Sequence, residues 1–301
     1  MDVRPQPTSV GADWNGHNAY PELYQQQQPP LPPQASLAAT SPIAAKSVEP
    51  PPDAPLAEDY TYRHDAIAFL LKCANVLQLG MWTTCTALIL FHRVRRSIPI
   101  LDDVFADDKL AALTCLWITI RTDEIPDVMR RDVVNVGWRL MKGDGATILA
   151  PKSEDFVNLN AELEAGYCAI GRAFQFDFRL DDHPMSFIVQ KTNLLLIYAA
   201  NGGPILKEIQ DYHYNILRWS FSLCADACIN PKIITTFGSD VIALSCVYLA
   251  LRYVVGGELP PFEKFCCFDP SPTSEMIDAG KDKVPLVLDC MEHLVALIAP
   301  L

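Results

Sequence analysis

Apolar residues recur with the period of an α-helix from about residue 65 to the end of the chain. In the first such stretch, the i, i+3, i+4 spacing that places side chains on one helix face is followed by Ile67, Leu70, Leu71, Ala74 and Leu77. We expect Gly80 to end this helix. The alternation of apolar and polar residues that marks a β-strand is scarce. The pattern therefore predicts an all-α fold.

Two series of helices are predicted. The first series continues over Thr84–Arg96, Asp108–Thr122 and Asp127–Met141, and its fifth helix carries Leu159, Leu163, Tyr167, Ile170 and Phe174 on one face. The second series runs over Met185–Ala200, through Ile209–Leu223, over Asp240–Val255 and over Ser274–Ile298, with Pro285 as a kink or break in the last helix. Two of these segments, Asp108–Thr122 and Asp240–Val255, are apolar nearly all round, which is typical of helices inside a bundle.

A ten-residue segment of the first series returns in the second at an offset of 131 residues. Residues 112–121 read ALTCLWITIR and residues 243–252 read ALSCVYLALR, with four identical positions. The offset is far longer than a solenoid repeat of roughly 20–50 residues. Both copies lie in the third helix of their series. The repeat predicts two successive five-helix bundles, each built around a buried third helix.

The first 57 residues differ in composition from the rest of the chain. They hold 12 of the 24 prolines and the only run of glutamines, Gln25–Gln28. Such a segment cannot bury enough apolar surface to offset its ordering entropy, so we expect it to be disordered. The predicted organisation is a Pro/Gln-rich tail over 1–57, a first helical bundle over 58–183 and a second over 184–301.

The chain is acidic, with 24 basic and 36 acidic residues and a formal net charge of -12. A protein that coats nucleic acid normally carries a basic face, so no direct nucleic-acid partner is expected. The largest local group of cations is Arg93, Arg95 and Arg96, which the pattern places at a helix C-terminus, where cations favour the helix dipole.

Most of the ten cysteines lie inside apolar runs, which indicates buried free thiols in a reducing compartment. Cys224 with Cys228 and Cys266 with Cys267 come nearest to a ligand pair, but neither has the second pair that a zinc site needs. The chain does not begin with the apolar segment of a secretory signal. The longest apolar run, Val241–Leu251, is too short to span a bilayer. We expect a soluble intracellular protein without metal or cofactor.

Motifs of catalysis are nearly absent from the sequence. It contains no glycine-rich phosphate loop, no zinc-protease helix motif and no kinase catalytic motif. The adjacent acidic pairs Asp102–Asp103, Asp107–Asp108 and Asp181–Asp182 do not converge as an acid and base would. The sequence therefore favours a binding or regulatory protein over an enzyme.

Four segments resemble the cyclin family. Ala87–Val94 (ALILFHRV) is similar to the second helix of the first cyclin box, and Leu116–Ile125 (LWITIRTDEI) to its third helix. Phe174–Phe178 (FQFDF) is similar to the end of the fifth helix, and Val241–Ala250 to the matching helix of the second box. Within the transcription-type cyclins, Arg131–Val136 and Pro261–Phe265 are most similar to the cyclin-Q branch.

The resemblance implies two tandem five-helix cyclin boxes and a kinase-binding surface on the first. In the family, a flat apolar surface bounded by a buried basic side chain and an acidic one grips the kinase C helix. The residues that match this surface are Arg121, where a lysine is usual, with Asp123, Glu124, Ile125 and the aromatic Phe176. Tyr167 stands where an acidic partner of the basic residue is expected, and Glu164, nearly one turn earlier, is the candidate substitute.

The resemblance also implies a function and a partner. The expected protein is a regulatory subunit in a heterodimer with a cyclin-dependent kinase of the transcription-linked type, which it activates by stabilising the active C helix and activation loop. The nucleus is the favoured compartment. Two alternatives stay open at this point, a transcription-complex scaffold like general transcription factor TFIIB and a cyclin-fold protein that binds without activating.

Overall fold

The computed structural model describes residues 64–96, 105, 107–143, 147–178, 182–200, 206–256 and 274–298. In these ranges it contains α-helices and no β-strand, so the all-α prediction is confirmed. The helices are α1 His64–Val76, α2 Met81–Arg96, α3 Asp108–Thr122, α4 Arg130–Lys142, α5 Glu154–Ala173, α6 Pro184–Ala200, α7 Leu206–Ile229, α8 Pro231–Thr236, α9 Ser239–Val255 and α10 Ser274–Ile298. The predicted tail over 1–57 and the segment Pro261–Phe265 lie outside the described residues.

Helix α1 ends four residues before the predicted terminus at Gly80. Gln78 takes a left-handed backbone conformation with φ of 54°. The amide of Leu79 donates to the carbonyl of Ala74, and the amide of Gln78 donates to that of Asn75, which is the hydrogen-bond pattern of a Schellman cap. Gly80 instead precedes α2, and its carbonyl accepts the first hydrogen bond of that helix from Thr84.

Two other helix boundaries differ from the sequence pattern. Helix α4 begins at Arg130 rather than Asp127, because the Asp132 carboxylate accepts the amide of Met129 at 3.0 Å and fixes the start there. The short helix α8 was not predicted. It begins at Pro231, after the Asn230 side chain has accepted the amide of Lys232 at 2.9 Å.

The helices pack in two groups within one compact unit that spans Val48–Leu301. In the first group, α3 contacts α1, α2, α4 and α5; in the second, α9 contacts α6, α7, α8 and α10. Helix α2 also packs against α7 and α8 and thus joins the groups. The predicted boundary between residues 183 and 184 stays a prediction. His183 caps α6 there, since its Nδ1 accepts the Met185 amide at 3.2 Å, and its ring stacks on Trp82.

The two copies of the repeat have the same environment. Both α3 and α9 are almost fully buried over the repeated segment. Cys115 and Cys246, which occupy one position of the repeat, are both fully buried. Thr114 and Ser245 occupy another, and each hydroxyl donates to the carbonyl four residues earlier, at 2.8 Å in both cases. The similarity in sequence therefore reflects an equivalent position in each helix group.

Two of the three arginines at the end of α2 contact other helices, whereas Arg93 is exposed. Arg95 is buried with only 2% of its surface exposed, and it forms an ion pair with Asp108 at the start of α3. Arg96 donates to the carbonyl of Thr235 at 3.4 Å. His92, one turn earlier, is fully buried and donates from Nε2 to the carbonyl of Cys228 at 3.1 Å. These side chains hold α2 against α3, α7 and α8.

Candidate partner-binding site

The end of α3 brings three of the predicted residues to one place. Glu124 lies in the left-handed region with φ of 52°. The Ile125 amide donates to the carbonyl of Ile120 at 3.1 Å, and the Glu124 amide donates to that of Arg121 at 3.4 Å. These hydrogen bonds form a second Schellman cap, which turns the chain immediately after α3. As a result, Arg121, Glu124 and Ile125 line the same depression.

The depression lies between the end of α3 and the start of α4 and has a volume of about 540 Å³. Its apolar side chains are Trp117, Ile120, Ile125, Val128 and Met129, and its charged ones are Arg121, Glu124 and Arg130. Met129 is 57% exposed. A concavity that combines apolar side chains with charges of both signs is suited to binding another protein.

Arg121 is exposed, whereas the resemblance implied a buried basic side chain at this position. Its guanidinium lies 5.7 Å from the ring centroid of Trp117, one helical turn earlier on α3. Among the described residues it forms no ion pair. Cation–π contact with tryptophan orients the guanidinium and leaves its donors open to a partner.

Asp123 does not line the depression. It is half-buried, and its carboxylate accepts the hydroxyl of Thr83 at 2.7 Å. Thr83 is itself buried in the first turn of α2. The hydrogen bond ties the end of α3 to the start of α2, so the structure places Asp123 in the support of the site rather than on its surface.

Glu164 does not pair with Arg121. Its carboxylate forms an ion pair with Arg130, at the start of α4, and both side chains are partly exposed. Glu164 thus has another basic partner in this chain, and its place at a kinase-binding surface stays a prediction. Arg130 also belongs to the site, because it lines the depression and forms its ion pair with a residue of α5. No sequence motif singled it out.

Tyr167 and Phe176 belong to an aromatic cluster at the end of α5. The ring of Phe178 lies 6.1 Å from that of Tyr167 and 6.4 Å from that of Phe176, the latter in an edge-to-face arrangement. Tyr167 is half-buried, but Phe176 is 56% exposed. Glu164 is one turn before Tyr167 on α5. Its ion pair with Arg130 therefore connects the helix that carries Tyr167 to the depression.

The backbone presents Phe176 in a strained conformation. Gln175 and Phe176 both have positive φ, 53° and 59°, and a bulky aromatic residue rarely adopts this region. The ring packs over Gly171, where a Cβ atom would come within 2.7 Å of its Cδ1. Strain of this kind persists where the surrounding structure imposes it and is common at functional sites. Phe178 and Gly171 are the residues of this cluster that sequence reasoning missed.

Two histidines and most of the cysteines in the described ranges are buried. Burial lowers the pKa of His92 and of His183 to about 4, so both are neutral near pH 7. Burial raises the pKa of the Cys73 thiol to about 12 and that of Cys290 to about 11. No group of His, Cys, Asp and Glu in the described ranges is arranged to hold a metal ion. None of the described helices combines the length and apolar character needed to cross a membrane.

Comparison with known proteins found similarity to solved structures. No protein-family model matches the chain, and no curated protein sequence matches it. Among solved structures, the chain is similar to a chain of the crystal structure of the yeast RNA polymerase II CTD kinase CTDK-1 complex. The identity is 13%, the TM-score is 0.48, and the match covers 78% of this chain and 75% of that one.

Proposed function

We propose that this protein is a cyclin-like regulatory subunit that binds a cyclin-dependent protein kinase. The observation that supports the proposal most strongly is that Arg121, Glu124 and Ile125, chosen from the sequence, line one depression. The three residues lie within five positions of one another at the end of α3. The turn at Glu124 brings them together.

The chemistry of the depression sets what a partner must offer. Trp117, Ile125 and Met129 provide apolar contacts, and a helix with an apolar stripe fits such a surface. Arg121 has open donors for a carboxylate of the partner, and Glu124 is exposed to accept from a basic side chain. Arg and Trp are the residue types that most often dominate binding energy at interfaces.

Activation would follow from selective binding. A kinase alternates between inactive and active conformers, and a subunit that binds the active one more tightly shifts the population toward it. The shift can be no larger than the difference in affinity: moving from 1:99 to 99:1 needs about 10⁴-fold preference. In this proposal the chain carries no catalytic group, and phosphate transfer belongs entirely to the kinase.

The finer parts of the proposal come from the sequence resemblance. We propose a transcription-linked kinase as the partner, a one-to-one heterodimer as the assembly and the nucleus as the compartment. A cyclin-fold protein that binds a kinase without activating it differs from this proposal only in the activation of the kinase. Binding and kinase activity therefore have to be measured separately.

The test is reconstitution with purified components. The full-length chain is mixed with each of a panel of cyclin-dependent kinase catalytic subunits, and two quantities are recorded, co-elution on size exclusion and the rate of phosphate transfer to a peptide substrate. We expect co-elution with at least one kinase and a rate that saturates at equimolar chain. Co-elution without a change in rate would support the non-activating alternative, and co-elution with none of the panel would overturn the proposal.

A further inference from the structure

A second concavity, of about 430 Å³, lies between α1, α3 and α4. Three cations from three different helices line it: Lys72 of α1, Lys109 of α3 and Arg139 of α4. Asp65 is the one acidic residue among the described residues that line it. It shares no lining residue with the depression at the end of α3. In the described part of the chain, none of the three cations forms an ion pair.

Local helix electrostatics accounts for only part of this cluster, since Arg139 lies in the last turn of α4, where a cation is favoured. Lys109 lies in the first turn of α3, where the helix dipole disfavours a positive charge. The two carboxylates beside it in sequence are engaged elsewhere. Asp107 caps α3 by accepting the amide of Lys109 at 2.9 Å, and Asp108 pairs with the buried Arg95. The Lys109 side chain lines the concavity and forms no ion pair with either of these neighbouring carboxylates.

The walls of the concavity combine apolar and bare backbone surface. Phe69, which is buried, and Leu140 supply apolar contacts. Gly143 ends α4 with φ of 89°, and its lack of a side chain leaves the adjoining space open. A phosphorylated side chain entering here would place its phosphate among the cations and its neighbouring residues against the apolar wall.

We propose that Lys72, Lys109 and Arg139 bind the phosphate of a phosphorylated serine or threonine in a protein partner. The described lining residues, three cations and one carboxylate, carry a net charge of +2, which a phosphomonoester of about -1.5 to -2 balances. Its three acceptor oxygens suit donors that converge from three helices. A polyanion such as nucleic acid is disfavoured because the whole chain carries a net charge of -12. The proposal does not depend on kinase binding.

The experiment uses the purified full-length chain and immobilised peptides. The peptides have degenerate flanks around a central phosphoserine or, in the second arm, serine, and retention is measured against peptide density at fixed salt. Anionic phosphatidylserine vesicles and a single-stranded oligonucleotide form two further arms. We expect retention on the phosphoserine peptides alone. Equal retention on both peptides, no retention, or stronger binding to vesicles or oligonucleotide would each overturn the proposal.

Variants locate the binding on the molecule. Lys109→Glu should reduce retention by about tenfold, since it loses a charge-assisted bond and adds repulsion. An acidic residue also suits the first turn of a helix, so this variant should fold. Lys142→Glu is the matched control, because Lys142 lies outside the concavity, over the ring of Trp138 at 4.8 Å, and should retain binding. Asp65→Asn should tighten binding by roughly twofold to threefold. Equal losses from Lys109→Glu and Lys142→Glu would contradict the site.

Discussion

Glu164 of α5 forms an ion pair with Arg130 of α4, and Arg121 of α3 lies instead against the ring of Trp117. The two basic side chains line the same depression, but only one of them has an acidic partner within the described chain. A kinase carboxylate that completes the site would therefore be expected at Arg121 and not at Arg130.

The ion pair itself should contribute little to folding. Arg130 and Glu164 keep 41% and 52% of their side chains exposed, and exposed pairs are screened by water and salt. We expect Glu164→Gln to lower the free energy of unfolding by about 0.5 kcal/mol. Urea denaturation of the single and double variants with Arg130→Gln gives the coupling energy. A coupling above about 2 kcal/mol would show that the pair is structural rather than a surface contact.

The contact of Phe176 with Gly171 predicts a dependence between the two positions. A Cβ atom at 171 would collide with the Phe176 ring, so Gly171→Ala should displace that ring and lower stability by about 1 kcal/mol or more. With Phe176→Ala already present, Gly171→Ala should instead raise stability by about 0.5–1 kcal/mol, through the helix propensity of alanine. Equal effects in both backgrounds, measured by urea denaturation, would mean that the ring does not rest on Gly171.

The left-handed conformation of Gln78, which lies outside both candidate sites, predicts how substitutions at this position change the stability of the protein. Because glycine adopts positive φ without the penalty that a side chain carries, Gln78→Gly should stabilise the protein by about 1 kcal/mol. Gln78→Ala is the matched control and should give no gain, since alanine also has a Cβ atom. Thermal unfolding of the three proteins decides between the outcomes. A loss of stability on Gln78→Gly would contradict the cap.

The buried histidines predict a pH dependence of stability. The folded pKa of His92 and His183 is about 4, below the ordinary value of 6.5, so the unfolded chain binds more protons between these values. Stability should be greatest above pH 6.5 and fall as the pH is lowered toward 4. Urea midpoints between pH 7 and pH 5.5 test this above the range of most carboxylates.

A conservative double variant assigns that dependence. His92→Gln keeps a donor for the Cys228 carbonyl, and His183→Asn keeps an acceptor for the Met185 amide. The variant should be less stable at pH 7 but have a much smaller slope between pH 7 and pH 5.5. If the slope of stability against pH were unchanged, titratable groups other than these two histidines would be responsible for the pH dependence.

The helical framework could be predicted because burial leaves a clear trace in a sequence. Helices α3 and α9 are apolar on nearly every face, and their predicted spans, Asp108–Thr122 and Asp240–Val255, agree with the structure to within one residue. The repeat of Cys115 at Cys246 pointed to equivalent core positions for the same reason. Periodicity and burial are local properties, and they suffice for such elements.

The side-chain contacts that could not be predicted join residues that are distant from each other in the sequence. Arg95 is buried because Asp108 of the next helix neutralises it, and Asp123 turns inward because Thr83 donates to it. Glu164 finds Arg130 only once α4 and α5 have packed. The early end of α1 follows from the hydrogen bonds that the Gln78 and Leu79 amides donate to carbonyls of the helix. A glycine at position 78 would have been the usual sequence signal of such a helix end.

The most direct test of the central proposal compares two arginines at matching positions of the repeat. Arg121 and Arg252 both lie in the last turn of their helices and are both exposed, but only Arg121 lines the depression at the end of α3. The affinity of the kinase that co-elutes with the full-length chain is measured by biolayer interferometry for wild type, Arg121→Glu and Arg252→Glu. We predict that Arg121→Glu weakens binding by at least about 30-fold, or roughly 2 kcal/mol, and that Arg252→Glu leaves it unchanged. Equal affinities for all three proteins would contradict the account.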